Sequence, residues 1–133
     1  LSTLLGHPEW RQDSWHWLAM IYAERKDFES ACKIARASSP RPPMPEVPST
    51  GSLPELKRSF RLRPDDFQVG LQLHKVQLAL GQTKEALETL RALQAVPRHP
   101  AYLAFIEAEV LEKQGLWEQA WKAWLQFGGR DFQ

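Results

Sequence analysis

The sequence has a single cysteine, Cys32, among 133 residues and no marked excess of either charge. One cysteine cannot form an internal disulfide, and it leaves no set of cysteines for a zinc site. The 17 Lys and Arg residues are balanced by 16 Asp and Glu residues, which gives a net charge of +1. Domains that bind nucleic acids usually carry a large basic excess. We therefore expect no nucleic-acid partner.

Long apolar runs are also missing from the chain. No stretch approaches the roughly 18 consecutive apolar residues that a transmembrane helix requires, and no signal-peptide pattern opens the sequence. We expect a soluble domain with no direct membrane insertion. The single cysteine is compatible with the cytoplasm and a periplasmic location stays open, so the sequence does not predict the compartment.

Motifs of catalysis and metal binding are absent as well. The four histidines, His7, His16, His74 and His99, are not spaced as metal ligands with one another or with Cys32. The chain has no glycine-rich phosphate loop, no nucleophile elbow and no zincin motif. We expect His74 to be a hydrogen-bonded, partly buried side chain and Cys32 to be a small core residue. No metal, no cofactor and no enzymatic activity is expected.

Proline and tryptophan, by contrast, are abundant, with ten and six residues. Six of the prolines lie between residues 40 and 54. Because proline lacks an amide hydrogen and clashes with the preceding turn, no helix can cross residues 39–51, where polyproline II or an irregular loop is expected. The P-x-x-P spacings beside Arg41 also fit ligands of aromatic-lined grooves, but a loop that interrupts a repeat is favoured.

Two segments in the second half of the chain match at an offset of 34 residues. Leu80–Ala86 aligns with Gln114–Ala120, and each contains a glycine between two apolar patterns of helical spacing. A glycine that ends one helix, a short turn and a small alanine in the next helix predict a helical hairpin. The alanine allows the two helices to approach closely.

A third copy lies near the N terminus. Trp15, Leu18, Ala19 and Tyr22 are spaced as W-x2-L-A-x2-Y, and Ala31 follows nine residues after the tyrosine. This pattern resembles the tetratricopeptide repeat, a helical hairpin of about 34 residues with the pattern W-x2-L-G-x2-Y…A-x3-F…P. The resemblance extends over about 100 of the 133 residues. It is specific for architecture and implies little about function.

The later copies depart from this pattern. They keep the turn and its alanine, Ala86 or Ala120, but Gly70 and Ala104 stand where the family has its opening tryptophan. The register also breaks once, since Ala31 and Ala86 are 55 residues apart. We interpret the break as one repeat whose first helix is replaced by the proline-rich segment.

The resemblance implies an all-α fold, a right-handed superhelix of tetratricopeptide-like hairpins forming a single domain over residues 1–133. The predicted divisions are a repeat over 12–38, a proline-rich insertion over 39–51, a partial repeat over 52–66, and repeats over 67–100 and 101–133. Helices are expected at about 9–25, 28–38, 53–62, 66–80, 83–95, 100–114 and 116–127. Capping boxes are predicted at Ser52-x-x-Glu55 and Asp65-x-x-Gln68.

The function that the resemblance implies is binding, because the first helices of stacked repeats line a concave groove. The side chains expected in this peptide groove are His16, Met20, Glu24, Gln68, Leu71, Gln72, Lys75, Tyr102, Phe105, Glu109 and Glu112. Only one of them is a lysine, so the groove lacks the clamp with which some family members hold a chaperone's C-terminal carboxylate. An apolar or weakly basic peptide fits better. The leading hypothesis is a non-catalytic module that binds a protein or peptide, and ordinary surface residues without a ligand are the alternative.

The last predicted helix has apolar residues on more than one face. We expect Trp117 and Trp124 to pack inward, and Trp121 and Leu125 to lean outward, where a further repeat, a partner or a second copy would cover them. Trp117, Trp121 and Leu125 are thus candidates for an end-face contact, including self-association. This face, together with Leu1 in place of Met, supports a second hypothesis. The chain would be a structural or assembly extension of a larger protein, one associated with a membrane or envelope, and would have no ligand of its own.

Overall fold

The computed structural model describes residues 17–39 and 41–131, with side chains described up to residue 127. This part of the chain contains seven helices and no strand, which confirms the predicted all-α class. Helix α1 includes residues 17–24. The other helices are α2 (Phe28–Ser38), α3 (Leu53–Leu62), α4 (Phe67–Ala79), α5 (Thr83–Gln94), α6 (Tyr102–Lys113) and α7 (Trp117–Asp131). His16 and the first half of the helix expected at 9–25 lie outside the described residues.

The helix ends agree closely with those expected from the sequence. The largest difference is at α7, which continues past the expected end at residue 127 to Asp131. Residues 41–52 contain no helix, as the prolines there predict. No helix in the described part of the chain combines the length and the apolar composition needed to cross a bilayer.

The helix starts differ from the predicted capping boxes. Ser52 is the N-cap of α3 but makes no side-chain capping bond, and Pro54 in the first turn has no amide hydrogen to donate. Asp66, not Asp65, caps α4. Its carboxylate accepts hydrogen bonds from the backbone N–H groups of Gln68 and Val69, at 3.1 and 3.2 Å.

Three hairpins, α1–α2, α4–α5 and α6–α7, share one turn. The residue with positive φ is Lys26 (62°), Gly81 (78°) and Gly115 (75°), respectively. The next amide donates to the carbonyl five residues earlier, in the bonds Asp27 to Tyr22 (2.9 Å), Gln82 to Gln77 (2.8 Å) and Leu116 to Leu111 (3.0 Å). This is the 6→1 bond of a Schellman motif. The alanine five residues after the positive-φ position is fully buried in every copy: Ala31, Ala86 and Ala120.

The chain forms two compact units. Among the described residues, unit 1 contains those up to Pro42 and those from Ala104 onward, and unit 2 contains Pro43 to Leu103. In unit 2, α3 packs on α4, and α4 packs on α5. In unit 1, α2 packs on α7, so the first hairpin contacts the third, although the second lies between them in sequence.

Each unit has its own apolar core. In unit 2, α4 and α5 approach so closely at Gly70 that a Cβ atom there would lie 2.6 Å from Leu93 Cδ2. In unit 1, the rings of Phe105, Trp124 and Phe127 meet edge to face, with centroids 5.3 to 6.0 Å apart. Such aromatic pairs each contribute roughly 0.5–1.5 kcal/mol beyond the area they bury.

Candidate functional site

Helix α4 presents two of the predicted groove residues, Gln72 and Lys75, on one face. The helix starts at the Asp66 cap, and it buries Gly70, Leu73 and His74 on its other side. Because residues three apart lie on the same side of a helix, the Gln72 amide and the Lys75 ammonium project from α4 together. Lys75 is exposed and Gln72 is half-buried.

Both side chains hold the backbone of the proline-rich segment. Gln72 Nε2 donates a hydrogen bond to the Thr50 carbonyl oxygen at 2.7 Å, and Lys75 Nζ donates to the Val47 carbonyl oxygen at 3.1 Å. The acceptors Val47 and Thr50 are three residues apart, as are the donors Gln72 and Lys75. Lys75, the later donor in the sequence, binds Val47, the earlier acceptor, so the segment runs antiparallel to α4. This helix face therefore binds a non-helical chain through two main-chain carbonyl groups.

Gly51 brings the segment close to Gln72. Its φ is +130°, which residues with a side chain rarely adopt. A Cβ atom at this position would lie 3.2 Å from Gln72 Nε2 and 3.3 Å from Leu56 Cδ1. Glycine thus permits both the backbone conformation and the approach that places the Thr50 carbonyl against Gln72. In the sequence, Gly51 stands three residues after Pro48, and no role was predicted for it.

The predicted apolar lining of the groove is not open to a ligand. Leu71 and Phe105 are each 3% exposed and belong to the cores of their units. Among the other predicted groove residues, Met20, Glu24 and Gln68 are exposed. Tyr102 is half-buried, and this burial raises the pKa of its hydroxyl. Of the groove residues on α4, the structure brings Gln72 and Lys75 together on one bound segment.

On α6, the predicted groove residue Glu112 is paired inside unit 1. Its carboxylate accepts hydrogen bonds from Arg36 Nη2 at 2.9 Å and Arg36 Nε at 3.2 Å. It also accepts a bond from Trp124 Nε1 at 2.9 Å. The Arg36 guanidinium lies 5.6 Å from the centroid of the Trp124 ring and 5.9 Å from that of Phe105. The hydrogen bonds to Glu112 raise the pKa of Arg36, so the guanidinium keeps its charge.

Glu109, one turn earlier on α6, is also paired. Arg41 Nη1 donates to its Oε2 atom at 3.3 Å, and Arg36 Nη1 lies 3.7 Å from the same oxygen. The Arg41 guanidinium lies 5.5 Å from the Phe105 ring centroid. The carboxylates of Glu109 and Glu112, both predicted groove residues, are thus neutralised by arginines of the same chain. Sequence reasoning gave Arg36 no role.

Cys32 and His74, the two described side chains considered as candidates for catalysis or metal binding that lie within helices, are buried. Cys32 is fully buried and donates to the Trp117 carbonyl oxygen at 3.5 Å. Burial, and then the nearby Glu112 carboxylate, raises the pKa of the Cys32 thiol to about 12. It is therefore protonated at neutral pH, whereas a nucleophilic cysteine needs a lowered pKa. The expectation of a small core cysteine is confirmed.

His74 is buried against α5. Its Nδ1 lies 2.8 Å from the Ala86 carbonyl oxygen, and its Nε2 has no hydrogen-bond partner among the described residues. Since a carbonyl accepts, Nδ1 carries the proton. Burial lowers the pKa of His74 because a charged imidazolium would lose its hydration there, and the nearby Lys75 acts in the same direction. The ring is thus neutral, as expected of a core histidine.

The expected outward position of Trp121 on α7 is wrong. Trp121 is 4% exposed, while Trp117 and Leu125 are half-buried. The expectation counted only the preceding helix as a neighbour of α7, but α2 also packs on it. Trp121 is therefore a core residue and offers no free surface for an end-face contact.

In the described residues, no group of three or more His, Cys, Asp and Glu side chains is placed to hold a metal ion. Comparison with known proteins gives no match for this chain among family models, curated proteins or solved structures.

Proposed function

We propose that the chain is a non-catalytic protein-interaction module that binds an extended peptide or protein segment along the first helices of tetratricopeptide-like hairpins. One observation carries this proposal. On α4, Gln72 and Lys75 hold a non-helical segment by its backbone carbonyl groups, at 2.7 and 3.1 Å. Long polar side chains on a helix that bind main-chain atoms are suited to a ligand with little side-chain specificity.

The recurrent turns support the repeat architecture in this proposal. Lys26, Gly81 and Gly115 take the same left-handed conformation, each followed by a 6→1 hydrogen bond and a buried alanine. Such a turn sets the geometry between the two helices of a hairpin. Three copies of one hairpin are the unit from which a tetratricopeptide-like array with a concave face is built.

A peptide selection on the full chain tests the proposal. A displayed library of random short peptides is selected against the wild-type protein, and the enriched peptides are titrated by fluorescence anisotropy. We expect saturable binding that weakens at least about tenfold in the Gln72→Ala, Lys75→Ala double variant, since each lost hydrogen bond contributes roughly 0.5–1.5 kcal/mol. Lys84→Ala, which changes an exposed lysine on α5, is the matched control and should bind normally.

Two results would contradict the proposal. Enriched peptides that bind the double variant as tightly as the wild-type chain would place the site away from α4. A selection that enriches no peptide would remove the binding function itself.

A structural role is the second candidate, and a different observation favours it. Glu109 and Glu112 are paired with arginines of the chain, and Gln72 and Lys75 are engaged with its own backbone. A structural or assembly extension of a larger protein would use its polar groups in this way and would need no ligand. Under this alternative, substitutions at Gln72 and Lys75 change the stability of the chain and no peptide is enriched.

A further inference from the structure

We infer that residues 45–50 are an internal ligand of α4, and that the external partner is a proline-rich segment, neutral or acidic, which displaces them. This inference rests on the proposed function and names its ligand class. The internal ligand is defined by its two carbonyl contacts, Thr50 with Gln72 and Val47 with Lys75.

The spacing of these contacts selects the conformation of the ligand. Polyproline II has three residues per turn, so carbonyl groups three residues apart point to the same side of the segment. In a β-strand the same two carbonyls point to opposite sides, and in an α-helix the carbonyls are engaged within the helix. Three residues advance ~9 Å in polyproline II and ~4.5 Å in an α-helix, and the long Gln72 and Lys75 side chains span the difference.

Proline favours this conformation before binding. Pro45 and Pro48 lie before and between the two acceptor residues, and each holds its φ near −65°. A segment that is already extended loses less conformational entropy when it binds, which favours proline-rich ligands over flexible ones. The requirement is therefore a proline-rich segment that runs antiparallel to α4 and directs two carbonyl groups to it.

Charge adds a second requirement. Lys75 is the cationic donor of the pair, and Glu46 directly precedes its acceptor residue in the internal ligand. A basic residue at the equivalent position of a partner would be repelled by the ammonium group. The partner is thus expected to be uncharged or acidic here, in contrast to the weakly basic peptide that the sequence suggested.

The internal ligand competes with the external one. If the internal ligand has an effective concentration on the order of 1 mM and its own Kd for α4 is ~100 μM, an external peptide would bind the wild-type chain about tenfold more weakly than a chain without the internal ligand. The difference between a chain with the internal ligand and a chain without it is therefore measurable.

The test uses the full chain with residues 43–50 replaced by a glycine–serine linker of equal length. The probe is a labelled synthetic peptide of residues 43–51, titrated by fluorescence anisotropy into the wild-type and replaced chains. A control peptide carries glycine at Pro43, Pro45 and Pro48. We expect the replaced chain to bind the probe about tenfold more tightly than the wild-type chain, and the glycine peptide at least severalfold more weakly.

Two further variants keep the test decisive. Gln72→Ala with Lys75→Ala in the replaced chain should abolish probe binding, whereas Lys84→Ala should not. Gly51→Val retains the prolines but disfavours the φ of +130° that positions the segment, so it should also bind the probe more tightly than the wild-type chain. If the replaced chain loses its helical circular dichroism and is therefore unfolded, the Gly51→Val chain still tests whether the internal ligand competes with the probe.

Each failure has a distinct meaning. Equal binding of the probe by the wild-type, replaced and Gly51→Val chains would overturn the internal ligand. Equal binding of the proline and glycine peptides would overturn the ligand class. Absence of probe binding to any chain would overturn the whole inference, while library-selected peptides that bind in a Gln72- and Lys75-dependent way would show that the proposed function stands.

Discussion

Replacing Gly70 by alanine should destabilise the protein, although alanine is the better helix former. Gly70 lies within α4, and a Cβ atom there would be 2.6, 2.8 and 3.0 Å from Cδ2, Cδ1 and Cγ of Leu93. Leu93 is fully buried, so we expect a movement of its side chain to disturb the close packing of the core around it. The helix propensity of alanine favours the variant by about 1 kcal/mol, and overpacking of a core opposes it by about 1–3 kcal/mol. We expect a net loss of about 1 kcal/mol in the free energy of unfolding.

Urea unfolding followed by circular dichroism measures this loss, and a double-mutant cycle assigns its cause. Leu93→Ala alone should cost about 2–5 kcal/mol. In the Gly70→Ala, Leu93→Ala protein the clash is gone, so the combined loss should fall below the sum by at least about 1 kcal/mol. Gly81→Ala is the contrasting variant, since no atom lies within 4 Å of its Cβ position but its φ is +78°. It should cost about 1–2 kcal/mol without coupling to Leu93.

A Gly70→Ala protein that is more stable than the wild type, with additive effects in the cycle, would refute this reasoning. That result would mean that helix propensity alone governs the position. It would also mean that α4 and α5 do not approach each other at Gly70 as closely as the structure has them.

Three further predictions concern the polar groups of the cores. Arg36→Ala should lower the free energy of unfolding, measured in urea, by about 2 kcal/mol, because it removes two charge-assisted hydrogen bonds to Glu112, whose side chain is 10% exposed. A loss under ~0.5 kcal/mol would contradict this and would indicate an ordinary surface ion pair. Cys32, with its pKa raised to about 12, should react with a thiol reagent at pH 8 only as fast as the protein opens, and a rate equal to that of the unfolded chain would contradict this. Because the pKa of His74 is lowered in the folded state, the unfolded state binds more protons than the folded state below pH ~6.5. The contribution of His74 to the free energy of unfolding is therefore complete above that pH and decreases on acidification. His74→Leu should reduce this acid slope in urea melts, and identical slopes would show that His74 does not cause it.

The helices and turns were predictable because their signals are local. Gly81 and Gly115 each mark a left-handed residue, and the alanine five positions later reports the close helix contact. The one hairpin without glycine has Lys26 in the same conformation, and there the turn was predicted from the resemblance of Lys26–Ala31 to the turn of the tetratricopeptide repeat. Backbone conformation at such positions depends on a few neighbouring residues, so the sequence pattern contains the information needed.

The exposure of the groove residues was not predictable in the same way. Phe105 and Glu112 have the helical spacing of a ligand-facing stripe, but Arg36, 76 residues before Glu112, lies against both of them. Trp121 became a core residue for the related reason that α2, distant in sequence, packs on α7. Periodicity tells which residues share a face, whereas burial depends on which element packs against that face.

The proline-rich segment both interrupts the repeat and supplies backbone acceptors, and one physical cause connects the two. A segment that cannot form a helix has carbonyl groups without intrahelical donors, and every such group needs another donor or water. The carbonyl groups of Val47 and Thr50 accept hydrogen bonds from Lys75 and Gln72, respectively. A linker that only joined two helices would not need Gly51, whose φ of +130° and 3.2 Å approach to Gln72 bring the segment onto α4. The prolines that end the helical register thus create the acceptor pattern that Gln72 and Lys75 bind, and under the proposed function a partner segment would have to present the same pattern to replace it.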